Sequence, residues 1–110
     1  MANKLCVLSI AGSDSGSGAG IQSDIKTFKN HGVYGLTAVT AVTAQNTRGV
    51  QSSLSMPAKV IDSQLKSIFD DFKVKAAKTG MLARPNVIQV IAKHIKKQKQ
   101  VKLVVDPVIY

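Results

Sequence analysis

Short apolar runs rich in β-forming residues alternate along this chain with segments whose apolar positions recur every three or four residues. That alternation restricts the fold class more than any other feature. Residues 4–11 (KLCVLSIA) have the character of a buried strand. Residues 12–20 (GSDSGSGAG) are expected to be loop, neither helix nor strand. Ile21, Ile25 and Phe28 then recur at helical spacing, with Gln22, Lys26 and Lys29 opposite. Asn30, His31 and Gly32 stop that helix. Residues 34–44 (YGLTAVTAVTA) read as a second buried strand, 45–49 as a loop and 50–56 as a short extra strand. Pro57 suits the first turn of a helix whose stripe is Ile61, Leu65, Ile68, Phe69 and Phe72. Residues 74–79 make a third main strand, broken by Gly80. Pro85 opens a helix with Ile88, Ile91, Ala92 and Ile95 on one face, and 101–105 form a fourth strand before Asp106-Pro107.

Strands and helices in this order imply crossover connections. The expected fold is α/β, a mostly parallel sheet with helices on both faces. The chain has 110 residues, enough for one domain or part of one. Residues 107–110 (PVIY) are apolar and follow a strand directly, where natural domains rarely end. The expectation is that residues 1–110 are the amino-terminal part of a single larger domain.

Thirteen Lys and two Arg face six Asp and no Glu, a formal net charge of +9. Such a balance can draw nucleic acid or an anionic membrane. Its placement argues otherwise. The lysines are spread along the chain, and only Arg48 and Arg84 can make bidentate contacts. The densest stretch, Lys93, Lys96, Lys97, Lys99 and Lys102, lies at a helix end, where cations suit the helix dipole. Neither a nucleic-acid nor a membrane partner is expected. The single cysteine, Cys6, cannot form an internal disulfide, and no segment has the length to span a bilayer. A cytoplasmic location is expected.

In an open parallel sheet, ligands bind beyond the carboxyl ends of the strands. Here those ends carry the glycine loop with Asp14, then Gln45-Asn46-Thr47, then Thr79-Gly80-Met81, then Asp106-Pro107. The loop Gly16-x-Gly18-x-Gly20 is not a dinucleotide fingerprint, because Ile21 stands where Gly or Ala is required. No Gly-Lys-Ser/Thr follows to make a P-loop, and no Ser is centred between glycines as in a nucleophile elbow. It is either a loop that brings backbone N–H groups to a ligand or a plain strand-to-helix turn. Asp24 is either a ligand acceptor or a carboxylate favoured by the helix dipole. The amide of Gln45 suits a nitrogen heterocycle, or bonds to backbone. Met81 can pack on a flat ring or fill a core gap. Asp106 can orient a metal or cap a turn. His31 and His94 read as surface residues. The residues alone describe an α/β sheet with a small-ligand edge and do not give the reaction.

Residues 10–24 (IAGSDSGSGAGIQSD) resemble the opening signature of bacterial hydroxymethylpyrimidine and hydroxymethylpyrimidine-phosphate kinases of thiamine biosynthesis, in the ribokinase-like superfamily. Residues 35–47 (GLTAVTAVTAQNT) resemble the second signature, and 78–82 (KTGML) and 104–108 (VVDPV) the third and fourth. All four occur in order, and the resemblance covers essentially the whole chain. It implies a ribokinase-like α/β fold. It implies transfer of the ATP γ-phosphoryl group, with Mg²⁺ neutralising the phosphates, to the hydroxymethyl oxygen of 4-amino-5-hydroxymethyl-2-methylpyrimidine and then to its monophosphate. By position, Gln45 would hydrogen-bond the pyrimidine, Gly12, Asp24 and Met81 would line the same pocket, and Asp106 would sit toward the phosphate and metal side.

The resemblance further implies that family members continue well past Tyr110. There they carry a glycine-rich anion hole with the catalytic cysteine, and much of the ATP site. Cys6, in the first strand, is not that cysteine. No catalytic residue is therefore expected in this chain, and alone it is not expected to catalyse. The whole protein is expected to be a homodimer, as relatives commonly are. Two other readings stand beside this one: a pyridoxal or pyridoxine kinase, since some relatives with similar signatures phosphorylate that ring, and a non-catalytic pyrimidine-binding chain.

Overall fold

The structure, a computed structural model, describes residues 5–80, 82 and 84–106. Its elements in chain order are β1 (Cys6–Asp14), α1 (Gly20–Asn30), β2 (Tyr34–Asn46), β3 (Gly49–Ser55), α2 (Ala58–Asp71), β4 (Val74–Thr79), α3 (Pro85–Lys97) and β5 (Lys102–Val105). The five strands form one sheet in the order β3-β2-β1-β4-β5. All neighbours are parallel except β3, which runs antiparallel to β2.

The connections explain the layering. From β1 the chain crosses through α1 to β2 on one side. From β3 it returns through α2 to β4 on the other side of β1. Right-handed crossovers in opposite directions place α1 on one face and α2 and α3 on the other. The sheet is mostly parallel with helices on both faces, as expected.

Alternation along the strands sorts the side chains. Leu8 and Ile10 of β1, Leu36 and Ala38 of β2, and Val74 and Ala77 of β4 meet Ile61, Leu65 and Ile68 of α2 and Val87 and Ile91 of α3. This aliphatic core supplies most of the driving force, at about 1.5–3 kcal/mol per fully buried Leu, Ile or Val side chain. The α1 face is thinner. No residue of α1 is fully buried. The helix lies close to the sheet over Gly35, where an added Cβ would stand 2.8 Å from Ile25 Cδ1 and 2.9 Å from Phe28 Cδ2.

Several expectations change. Gly12, Ser13 and Asp14 are strand, not loop: β2 carries one extra residue between Val39 and Val42, and pairing resumes at Ser13 and Asp14. Gly20 opens α1 rather than closing a loop. The buried side of α3 is set by Val87 and Ile91, with Val90 and Ile95 packed against the core. Ile88 and Ala92 point elsewhere and are exposed. β5, the fourth main strand, is exposed along its length. His94 is not a surface residue: its side chain is 13% exposed and its ring stacks on Phe69 at 6.3 Å. Among the described residues, no helix is long and apolar enough to cross a membrane.

Candidate active site at the β1–β4 crevice

The helices that follow β1 and β4 leave to opposite faces, so the crevice beyond their carboxyl ends is the topological switch point of the sheet. The strand ends are tied there. Gly80 N–H donates to the Ile10 carbonyl at 2.9 Å, and Asp106 N–H donates to the Thr79 carbonyl at 2.9 Å.

The glycine loop closes on itself. Asp14 is buried, and its carboxylate accepts the N–H groups of Gly16 (2.7 Å), Gly18 (2.9 Å) and Ala19 (2.8 Å). The donors that would otherwise be offered to an anion are therefore held by an internal carboxylate. Gln22 locks the arrangement by accepting from Asp14 N–H at 2.8 Å and donating to Ser13 Oγ at 2.6 Å. The sequence reading takes Asp14 only as a member of the loop. The available signal was an aspartate two residues before a glycine, the spacing of a side chain that bonds its own backbone two residues on.

Gln45 lies at the end of β2, on the far side of the same loop. Its carbonyl accepts from Ser15 Oγ at 2.6 Å, and its N–H donates to the same oxygen at 2.7 Å. Its side-chain amide lies 3.2 Å from Thr43 Oγ1, whose single proton goes to the Ser13 carbonyl at 2.7 Å, so the amide is held loosely at the strand end. Gly12 lies between, lining a cavity of about 80 Å³ with Thr40, Thr43, Ser55 and Arg84.

Asp24, on α1, faces the sheet rather than solvent alone. Its Oδ2 accepts from Ser9 Oγ at 2.6 Å and from Lys78 Nζ at 2.9 Å. Lys78 Nζ lies 3.6 Å from the point where a Cβ on Gly80 would stand, which puts this ion pair at the level of the strand end. Neither Ser9 nor Lys78 was singled out from the sequence. Nothing in the local pattern marks a lysine two residues before a glycine as facing an aspartate 54 residues away. Asp106 is exposed at the end of β5. Met81 lies outside the described residues. Gly12 and Gln45 thus lie toward the ends of β1 and β2, Gly12 on a cavity that Val87 of α3 also lines, whereas Asp24 meets Ser9 and Lys78 on the α1 side and Asp106 follows β5. Among the described residues there is no group of three His, Cys or Asp side chains placed to hold a metal ion.

This chain is similar to known proteins along almost its entire length. The family model described as phosphomethylpyrimidine kinase matches residues 14–110. A hydroxymethylpyrimidine/phosphomethylpyrimidine kinase of Haemophilus influenzae is 48% identical over 108 residues, covering 98% of this chain and 40% of that protein. A crystal structure of phosphomethylpyrimidine kinase from Clostridium difficile superposes with a TM-score of 0.91 at 46% identity, covering 96% of this chain and 46% of that one. The ADP complex of Bacillus subtilis pyridoxal kinase superposes with a TM-score of 0.88 at 41% identity, covering 97% and 41%. The chain therefore spans about 40% of the length of the curated relative.

Proposed function

The chain belongs to the phosphomethylpyrimidine kinase family, and we propose that it supplies the pyrimidine-binding edge of an enzyme that phosphorylates 4-amino-5-hydroxymethyl-2-methylpyrimidine and its monophosphate with ATP. The observation that carries this reading is Gln45. Its backbone is held on both N–H and carbonyl by one serine, so the amide is presented from a fixed point. Its amide carries both donors and an acceptor, which complements a ring nitrogen beside an exocyclic amine. Gly12 leaves room beside it, and Met81 and Asp24 are assigned to the same pocket.

Asp106 is assigned to the phosphate side, where ATP would bring Mg²⁺ as part of its substrate complex. The chain spans about 40% of the length of its curated relative, and alone it is expected not to turn over ATP. The β2–β3 hairpin exposes Val42, Val50 and Leu54, a surface that supports a homodimer of the whole protein.

Calorimetric titration of the chain with 4-amino-5-hydroxymethyl-2-methylpyrimidine and with pyridoxine tests the reading. Preferential uptake of the pyrimidine, weakened at least about tenfold in Gln45→Ala, is the expected result. The second reading, a pyridoxal kinase, is favoured by the likeness to the Bacillus subtilis structure. Preference for pyridoxine would establish it instead.

A further inference from the structure

We propose that Lys78 and Ser9 are positioning residues, fixing the Asp24 carboxylate at the mouth of the β1–β4 crevice with one oxygen left to accept a ligand N–H or O–H; this rests on the pyrimidine reading above and deepens it. Three elements converge on one atom. Ser9 and Lys78 are register partners on β1 and β4, and both reach Asp24 of α1. Ser9 is fully buried, so its hydroxyl has little freedom to find another acceptor. The Lys78 and Asp24 side chains are 22% and 20% exposed, so the pair is mostly but not wholly withdrawn from water.

Both donors fall on Oδ2, and Oδ1 accepts from none of the described residues. A carboxylate has about four lone-pair sites, and with the side chain 20% exposed Oδ1 keeps its acceptor capacity toward whatever enters the crevice. The pair stands at the level of Gly80, beside the crevice and not at the foot of α1. A staple whose only task was to hold the helix would serve equally well anywhere along it. The donor chemistry that fits Oδ1 is the exocyclic amine or the hydroxyl of a substituted heteroaromatic ring. Lys78 acts through Asp24: it holds the carboxylate in one orientation and does not itself touch the ligand.

The test is calorimetric titration of the 110-residue chain with 4-amino-5-hydroxymethyl-2-methylpyrimidine, run on the wild type, Gln45→Ala, Asp24→Asn, Lys78→Met and the Asp24→Asn/Lys78→Met double variant. Asp24→Asn and Lys78→Met should each weaken binding about tenfold, and the double variant should be no weaker than Asp24→Asn alone, because both remove one oriented acceptor. Ser9→Ala should weaken binding about threefold, and it keeps the proposal testable if Lys78→Met does not fold. A purely structural staple would lower the melting temperature of Lys78→Met and leave the affinity of the folded protein unchanged. That result, or effects that simply add in the double variant, would overturn the proposal while the pyrimidine reading stood on Gln45→Ala. Failure of the wild type to bind the pyrimidine would overturn both.

Discussion

Ser15 Oγ donates to the Gln45 carbonyl at 2.6 Å and accepts from the Gln45 N–H at 2.7 Å, so one side chain stands in for a strand residue at the point where β1 has already ended. The last backbone register partners are Asp14 and Thr43, two residues earlier. The hydroxyl therefore extends the ladder by one rung and stops the hairpin of β2 and β3 from turning about its base. Ser15→Ala should cost only about 0.5–1.5 kcal/mol of stability, since the bond is exposed to water. It should nevertheless weaken pyrimidine binding, because Gln45 is then presented from a mobile strand end. Urea denaturation and calorimetric titration on the same preparation separate the two effects.

Gly20 has φ +63°, and a Cβ there would run into the Gly12 carbonyl oxygen and stand 3.2 Å from its carbon. Both atoms are backbone and cannot step aside. Gly32 has φ +71°, with nothing within 4 Å of an added Cβ. Gly20→Ala should therefore lose about 3 kcal/mol or more, strain plus clash, and Gly32→Ala about 1 kcal/mol from the left-handed backbone alone. Equal midpoints for the two variants in urea denaturation would show that the loop can open to admit the methyl group.

The contrast between those two glycines also shows what the chain discloses before it is folded. Val, Ile and Leu at period two or near period four announce the strands and helices, because burial is written in side-chain type. The interior stripe of α2, Ile61, Leu65 and Ile68, could be read directly. On α3 the expected face included Ile88, but the crossing of α3 over the sheet buries Val87 instead and leaves Ile88 47% exposed. Gly12 and Gln45 could be placed at strand ends from the pattern alone. The bonds of Asp14 to Gly16, Gly18 and Ala19 could not, because they depend on the loop turning back over its own strand. Nor could the ion pair of Asp24 and Lys78, whose partners meet only through the β1–β4 pairing.

His94 Nε2–H donates to Asp62 Oδ1 at 2.6 Å and links α3 to α2. The Asp62 carboxyl is held below its ordinary value first by this hydrogen bond, with lesser help from the charges of His94, Lys93 and Lys66, while partial burial opposes them. A carboxyl depressed in the folded state contributes stability above its unfolded value, about 4, and that contribution is lost as pH falls through the lower folded value. The melting temperature of the wild type should exceed that of Asp62→Asn at neutral pH, and the gap should close as pH is lowered below about 4. A gap unchanged across that range would show that the link between the helices does not depend on the carboxylate charge.

β5 pairs with β4 on one side only, and Leu103, Val104 and Val105 are 42%, 62% and 62% exposed. An open strand edge bearing apolar side chains is a template for pairing with another chain. The formal net charge of +9 opposes that pairing by mutual repulsion, and salt weakens the repulsion by screening it. The 110-residue chain should therefore scatter more light as sodium chloride is raised from low concentration to about 0.5 M, where the Debye length has shrunk to a few ångströms. Val104→Lys should suppress the rise by placing a charge on the edge itself. The other edge, β3, exposes Leu54 at 67%, so Leu54→Lys is the matching variant. Suppression by Leu54→Lys and not by Val104→Lys would assign the association to the β2–β3 hairpin and remove β5 from the account.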